Sequence, residues 1–390
     1  MKDIQYYTER CHQILKELIA IDSSHPQGNE KRMVDKIRTC FAPGTEMTEI
    51  RHTETRSSLV VRIPGREGGN ALAFVGHIDT VAFGDVEAWV HAPLSADQVG
   101  DNIYGRGSSD MKSGVAAMTT AALYLIENGL RPEHDILFCY TADEEAGGMG
   151  ISAIVREGYL KDVSEVIIAE PSSGRISVCE KGAFWLRAEA TGILAHGSRP
   201  EIGISAIDLL IDFRDALADH LNTGAVNPYL GQNTISLTRL EGGIQTNIIP
   251  NKAVMELDIR TVEKDIHRGL FKAAERVALE VCQKRGKSRA AQIDIKLSIL
   301  NDRAMVESPE SSAIVKNMTK IWADKGENVE KKGTIFYTDM SQIAPVHDVP
   351  FIIFGPGDEE QAHQTNESAS LMSLKAVTEA YLEYLETYCL

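Results

Sequence analysis

The sequence lacks several features that would each define a class of protein. Its six cysteines include no Cys-x-x-Cys pair, and no segment approaches the roughly 20 apolar residues that span a membrane. The N-terminal segment is mixed in polarity and has no apolar signal core. We therefore expect reduced thiols, no membrane partner and a cytoplasmic location.

Basic charge is also limited. Lysine and arginine number 40 against 56 aspartate and glutamate residues, the net charge is −16, and the basic residues form no long run. Nucleic-acid binding depends on the neutralisation of phosphates, so we expect no nucleic-acid partner. The acidic balance identifies no substrate, because acidic surfaces are common and mostly aid solubility.

Several catalytic motifs are missing as well. No Gly-x-Ser-x-Gly elbow is present, so the catalytic serine of an α/β-hydrolase has no support. The absence of His-Glu-x-x-His excludes a zinc protease whose ligands lie on one helix. No cysteine lies in a recognisable nucleophile motif.

The hydrophobic pattern predicts two domains, because 390 residues exceed one ordinary core. Strand-like and helix-like segments first alternate, as in a doubly wound α/β domain with a mainly parallel sheet. After Gly174 half-exposed strands follow in the order strand, helix, strand, strand, helix, strand, which suggests a ferredoxin-like split βαβ domain of the α+β class. We predict a discontinuous α/β domain of residues 1–178 and 301–390, with residues 179–300 inserted as the α+β domain.

Histidine and acidic residues follow the predicted buried strands. His77, the pair Glu144 and Glu145, and Glu170 each end such a strand, and His363 follows another strand and a Gly-rich turn. Parallel sheets form their ligand sites where strands end. Unpaired buried carboxylates are very costly, so this grouping predicts a metal site.

A Gly-rich segment at residues 105–114 presents Asp110 just before a predicted helix. A phosphate-binding loop is a competing interpretation, but the Walker spacing is absent and a carboxylate would repel phosphate. A bridging metal ligand is favoured, and a helix cap is the alternative. The candidate ligands are oxygen and imidazole donors without a thiolate, which suits zinc, cobalt or manganese.

Two pairs of residues have more than one interpretation. Glu144 and Glu145 point in different directions, so one can bind metal while the other acts as general base; a solvated acidic turn is the alternative. Asp79 lies two residues beyond His77 on a predicted strand, so its carboxylate can hold the second imidazole nitrogen. The alternative for His77 is a histidine packed in the core.

A series of short segments carries a further signal. They are GHIDTV at 76–81, GRGSSDMK at 105–112, TADEE at 141–145, AEP at 169–171, AHGSRP at 195–200, DIR at 258–260 and AHQTNE at 362–367. In this order they resemble the dinuclear metal-dependent aminoacylase and carboxypeptidase family, which includes acetylornithine deacetylase, succinyl-diaminopimelate desuccinylase and bacterial glutamate carboxypeptidase. The resemblance spans nearly the whole chain.

The resemblance implies a set of metal ligands. One divalent ion would be held by His77 and Glu170, and a second by Glu145 and His363. Asp110 would bridge the two ions. Zinc is the first expectation for both ions, with cobalt and manganese as alternatives.

The resemblance also implies catalytic and substrate-binding roles. Glu144 would be the general base, and Asp79 would support His77. The inserted domain would be a lid and dimerisation module, and its His196 would reach the partner subunit's site and polarise the scissile carbonyl; an ordinary strand-end histidine is the alternative. Arg260 would clamp the substrate carboxylate, with a salt bridge inside the lid as the alternative. Asn247 is a weaker candidate for the same pocket.

The activity implied is metal-dependent hydrolysis of the amide bond of an N-acylated amino acid, as in a deacetylase or desuccinylase. Glu170, where some dipeptidases and aminopeptidases of the family carry aspartate, favours an N-acyl amino acid substrate or a carboxypeptidase. A dipeptidase or carboxypeptidase acting on a short peptide is the alternative within the family. A non-catalytic metal- or ligand-binding protein is the alternative of another class. The resemblance further implies a homodimer.

Overall fold

The structure is a computed structural model that describes residues 3–222 and 224–390. It divides the chain into two units: Met1–Cys179, Glu307–Thr334 and Thr338–Leu390 in the first, and Glu180–Val306 with Ile335–Tyr337 in the second. The predicted insertion, residues 179–300, ends inside the last long strand of the second unit, which continues to Arg303.

Helices and strands, numbered in chain order, occur in both units. The helices are α1 (Ile4–Ile19), α2 (Glu30–Cys40), α3 (Ser113–Glu127), α4 (Met149–Arg156), α5 (Ala206–Leu221), α6 (His267–Gly286), α7 (Ala313–Asp324), α8 (Met340–Ile343) and α9 (Leu371–Tyr384). The strands are β1 (Glu46–Arg51), β2 (Ser57–Ile63), β3 (Ala71–His77), β4 (Gln98–Val99), β5 (Asn102–Tyr104), β6 (Ile136–Thr141), β7 (Val163–Ile168), β8 (Ser177–Glu180), β9 (Gly182–Thr191), β10 (Ala195–His196), β11 (Thr234–Gly242), β12 (Ile248–Ile249), β13 (Lys252–Thr261), β14 (Asp294–Arg303), β15 (Val306–Glu307), β16 (Lys332–Thr334), β17 (Phe351–Ile353) and β18 (Ser368–Ser370).

The main sheet has a parallel centre and antiparallel sides. Its strand order is β1-β2-β6-β3-β7-β17-β8, with β15 and β16 beside β8. The pairs β6–β3, β3–β7 and β7–β17 are parallel, whereas β1–β2, β2–β6 and β17–β8 are antiparallel. The predicted α/β fold with a mainly parallel sheet is therefore confirmed for the centre. Strand β1 was not predicted, because Ile50 is its one fully buried residue.

The parallel centre is buried along its length. Every residue of β3 and β6 is buried, as expected for strands covered on both faces. Helix α3 packs with α1 and α9 in one layer, while α4 contacts β6 from a separate group that includes α8. Ionisable groups are consequently concentrated where these strands end. None of the helices in the described residues has both the length and the apolar character of a membrane span.

The second unit is built on an antiparallel sheet of order β11-β13-β9-β14. Helices α5 and α6 cover one face, and alternate residues of β9, among them Phe184, Leu186 and Ala188, are buried in that core. The element order β9-α5-β11-β13-α6-β14 is that of the predicted split βαβ domain. Its use as a lid stays a prediction.

Candidate metal centre and catalytic site

Four neighbouring parallel strands deliver the predicted ligands to one place. His77 is the last residue of β3, and Glu145, Glu170 and His363 lie in the segments that leave β6, β7 and β17. Asp110 comes from the turn before α3. Because the carboxyl ends of parallel strands share one sheet edge, these residues converge despite their separation in sequence.

Asp110 lies between the two histidines. Its Oδ1 is 2.9 Å from His77 Nε2, and its Oδ2 is 3.3 Å from His363 Nε2. Glu170 Oε1 is 3.6 Å from His77 Nε2, and Glu145 Oε2 is 3.0 Å from His363 Nε2. Each oxygen of Asp110 therefore faces one His–Glu pair, as a carboxylate shared by two cations would.

Three carboxylates, those of Asp110, Glu145 and Glu170, crowd together with only imidazoles as their ion-pair partners in the described residues. Removal from water raises the pKa of Glu170 to about 7. It also raises the pKa of Glu145, to which repulsion from Asp110 adds. Within residues 3–222 and 224–390, no lysine or arginine forms an ion pair with these three carboxylates. Divalent cations would bring positive charge to this site, and oxygen and imidazole donors suit such cations.

The same carboxylates raise the pKa values of His77 and His363. Hydrogen bonds with Asp110 and Glu145 raise the pKa of His363 to about 10. Burial alone would lower the pKa of His77, but Glu170 and Asp110 outweigh it and raise that pKa well above its ordinary value. The pKa of Asp110 is lowered, because its hydrogen bonds with both imidazoles outweigh its burial. Metal ligation needs neutral imidazoles, so a bound cation takes the place of these protons.

The turn that carries Asp110 is not part of the helix that follows it. A π-helical turn covers Ser108–Lys112, and Asp110 has φ −116° and ψ 96°. Gly107 has φ +81°, and a Cβ there would lie 2.6 Å from Thr80 Cγ2, so a side chain would be both strained and crowded. The predicted helix start at Met111 is therefore wrong, and α3 begins at Ser113.

Glu367 fixes the backbone of this turn. Its Oε1 accepts the N–H groups of Ser109 and Asp110, both at 2.9 Å, and its Oε2 accepts that of Gly107 at 3.0 Å. Arg106 Nη1 also donates to Oε2 at 2.7 Å. The carboxylate, which is fully buried, thus holds the bridging residue in place.

Arg106 connects that turn to the loop of His363. It donates to the carbonyl oxygen of Gln364 at 3.1 Å and lies 3.5 Å from that of His363. The segments at 105–112 and 362–367 contain Arg106 and Glu367, but no role was predicted for either residue. Because 261 positions separate them, no local spacing pairs them. The sequence offered one indication of a role: Arg106 and Glu367 each lie within a few residues of a predicted metal ligand.

The second imidazole nitrogen of His77 forms its hydrogen bond with the backbone of Asp79, and the Asp79 carboxylate lies within ion-pair distance of the same nitrogen. His77 Nδ1 lies 3.0 Å from the backbone oxygen of Asp79, whereas the carboxylate Oδ1 is 3.8 Å away. Strand β3 ends at His77, so the alternation assumed for Asp79 does not apply beyond it. The carboxylate also accepts the N–H groups of Glu144 at 3.2 Å and Glu145 at 3.1 Å.

Glu144 lies beside the ligands, and no hydrogen bond within the described residues occupies its carboxylate. One of its oxygens is within 4.8 Å of ligand atoms of His77 and Glu170. Removal from water, with repulsion from Glu170 and Asp339, raises its pKa well above the ordinary value. A carboxylate beside the proposed ligands, with no hydrogen bond of its own in the described residues, is placed as a general base would be.

The remaining candidates lie in the second unit. His196 is exposed at the end of β10, and its Nδ1 accepts the N–H of Ser198 at 3.2 Å. Arg260 donates from Nε and Nη2 to Asp258, at 2.8 and 3.0 Å, so the alternative for this residue, a salt bridge, is present. Asn247 is exposed, and its carbonyl oxygen accepts the N–H of Gly197 at 2.7 Å.

A sequence comparison identifies the family. The profile of Peptidase family M20/M25/M40 matches residues 73–387. The chain belongs to this family. A probable succinyl-diaminopimelate desuccinylase from Staphylococcus epidermidis is 27% identical over 367 residues, which cover 87% of this chain and 86% of that protein. The predicted resemblance is confirmed, as is the prediction of a metallohydrolase that acts on amide or peptide bonds.

Solved structures show the same fold. A tripeptidase from Staphylococcus aureus has a TM-score of 0.76 at 22% identity, over 96% of this chain and 97% of that one. A metallo-carboxypeptidase from Sulfolobus solfataricus has a TM-score of 0.78 at 16% identity, over 100% and 99% of the two chains. The mixed α/β architecture around a mostly parallel sheet is thereby confirmed.

Proposed function

We propose that the protein binds two divalent metal ions and hydrolyses the amide bond of an N-acylated amino acid. The observation that carries the proposal is the position of Asp110 between two His–Glu pairs, with the carboxylate of Glu144 beside them. The relative named as a probable desuccinylase favours an acyl amino acid. A dipeptidase or carboxypeptidase is the second candidate, because solved structures of a tripeptidase and a carboxypeptidase share the fold.

The ligands divide into two sets. His77 and Glu170 would hold one ion, Glu145 and His363 the other, and Asp110 would bridge them. Zinc, cobalt or manganese suits these donors. When bound, the ions would polarise the amide carbonyl and lower the pKa of a coordinated water towards neutrality.

Glu144 would move the proton. Its carboxylate accepts a proton as the attacking water loses one of its O–H bonds to form the new C–O bond. It then delivers that proton to the amide nitrogen while the C–N bond breaks, so the amine leaves neutral. The raised pKa of Glu144 suits the second transfer, and general acid–base catalysis contributes about 10²–10⁴-fold to rate.

The second unit would supply the substrate contacts. Because Nδ1 of His196 accepts the Ser198 N–H, a neutral ring carries its proton on Nε2, which is then a donor for a carbonyl oxygen. Asp258 accepts hydrogen bonds from two of the three guanidinium nitrogens of Arg260. The third, Nη1, is buried and makes no hydrogen bond with the described residues, so it would be the nitrogen that binds a substrate carboxylate. Asn247 would contribute an exposed side-chain amide to the same pocket.

We further propose a homodimer in which His196 serves the active site of the partner subunit. Sedimentation of the wild type should then give a mass of about twice 42.8 kDa.

Co-expression of Glu144→Gln with His196→Ala should restore activity that neither variant has alone. The restored site belongs to the His196→Ala subunit, which keeps Glu144 and receives His196 from its partner. If His196 acts within its own chain, the mixed protein stays inactive. His220→Ala, another exposed histidine of the second unit, is the control.

A cytoplasmic location is also proposed. None of the six cysteines forms a disulfide in the described residues, and most of them are buried. Free thiols are the usual state in a reducing compartment.

A substrate panel tests the activity directly. The protein should be assayed with N-acetyl amino acids, N-succinyl amino acids and dipeptides, each with zinc, cobalt or manganese. We expect kcat/KM for the best N-acyl amino acid to exceed that for the best dipeptide by about tenfold or more, which corresponds to about 1.4 kcal/mol. Preference for dipeptides would favour the second candidate. Inactivity on every substrate would favour a non-catalytic binding protein.

A further inference from the structure

A cluster of buried polar residues lies behind the turn that carries Glu144 and Glu145. Asp79, which is fully buried, accepts the N–H groups of both glutamates. His25 Nε2 lies 3.0 Å from Asp79 Oδ2. These contacts join the loop after α1 to the backbone of the general base and of a metal ligand. No role was predicted for His25 from the sequence.

The direction of the hydrogen bond from His25 is fixed by its other neighbour. Arg56 Nη2 lies 3.1 Å from His25 Nδ1, and a guanidinium group can only donate. Nδ1 is therefore an acceptor, so the neutral ring carries its proton on Nε2. His25 consequently donates to Asp79 and orients that carboxylate towards the two N–H groups.

Arg56 anchors the cluster at its other end. It donates to the carbonyl oxygen of Pro26 at 3.3 Å and forms an ion pair with Asp143. Asp143 begins the turn with φ +69°, and its carbonyl oxygen accepts the N–H of Gly147 at 2.9 Å. The turn is thus held on both sides, at Asp143 by Arg56 and at the glutamates by Asp79.

We propose that His25 and Arg56 are positioning residues for Glu144, and that they act through Asp79 and Asp143. A general base has to lie within about 2.6–3.2 Å of the atom whose proton it accepts, and a displacement of about 1 Å can cost about 10²-fold in rate. Asp79 would thus help to place the base through the two N–H groups that its carboxylate accepts. This inference rests on the proposed function, because it assumes that Glu144 is the base.

The test compares two substitutions of His25. His25→Gln keeps an N–H donor at a similar reach, whereas His25→Leu removes it at similar volume. At saturating metal we expect His25→Leu to lower kcat by about 10²-fold with little change in KM, and His25→Gln to recover most of that loss. His12→Leu, a half-buried histidine on α1, is the control and should behave as the wild type.

Hydrogen exchange gives a readout that does not depend on activity. In peptides that cover residues 142–147, His25→Leu should lose the protection of the Glu144 and Glu145 amides, while β6 keeps its own. Unchanged protection, or an equal loss of kcat in the glutamine and leucine variants with both folded, would overturn the proposal. If the wild type hydrolyses no amide with any metal, the proposed function fails, and the exchange experiment on the metal-free protein still decides whether His25 holds the turn.

Discussion

Replacement of Glu144 by glutamine is expected to leave the protein folded and able to bind metal, and to lower kcat by about 10³-fold. The substitution preserves size but removes the group that accepts the proton from water and returns it to the leaving amine. The Glu144 side chain makes no hydrogen bond in the described structure, and its backbone N–H to Asp79 is unaffected by the change. The substitution should therefore change the stability of the fold very little.

The neighbouring glutamate provides the sharpest comparison. Glu145 lies 3.0 Å from His363 Nε2 and is a proposed ligand, so Glu145→Gln should weaken metal binding, whereas Glu144→Gln should not. Calorimetric metal titration separates the two effects, and kcat is measured at saturating metal. Glu157→Gln, an exposed glutamate after α4, is the control. A wild-type rate in Glu144→Gln would remove this residue from the mechanism.

The convergence of the ligands could be predicted from the sequence because the parallel centre is regular. His77, Glu145 and Glu170 follow apolar segments that form neighbouring strands, and such strands end at one edge. A single buried stretch is enough to locate each residue at that edge. The antiparallel edge strand β1 carries no such signal, because most of its residues are partly or fully exposed.

The orientation of side chains beyond the strand ends could not be predicted. Asp79 lies beyond the end of β3, so strand periodicity does not predict that its carboxylate accepts the N–H of Glu144 and lies 3.8 Å from His77 Nδ1. The pairing of Arg106 with Glu367 depends on two loops that meet only in the folded chain. The alternative for Arg260, a salt bridge inside the lid, named no partner; that partner is Asp258, which lies two residues away on the same face of β13.

Replacement of Asp110 by alanine is expected to have the largest effect on metal binding. Its two oxygens face both His–Glu pairs, so one substitution removes a ligand from each proposed ion. Loss of a residue that merely supports a ligand typically costs about 10–100-fold in affinity, so we expect a loss of more than about 100-fold here, with activity falling below detection. The backbone of the turn should persist, because Glu367 binds its N–H groups and not the Asp110 side chain.

Thermal unfolding with and without metal tests this expectation independently of activity. A ligand that binds only the native state stabilises it by about 2.7 kcal/mol at 100 times its Kd, so metal should raise the unfolding midpoint of the wild type. The midpoint of Asp110→Ala should not respond at the same concentration, and Asp97→Ala, an exposed aspartate, should respond as the wild type does. The metal-free variant should itself be less stable at neutral pH, because hydrogen bonds with both histidines lower the pKa of Asp110 and thus stabilise the fold above its unfolded pKa. A metal response retained in Asp110→Ala would mean that the two His–Glu pairs bind ions without a shared carboxylate.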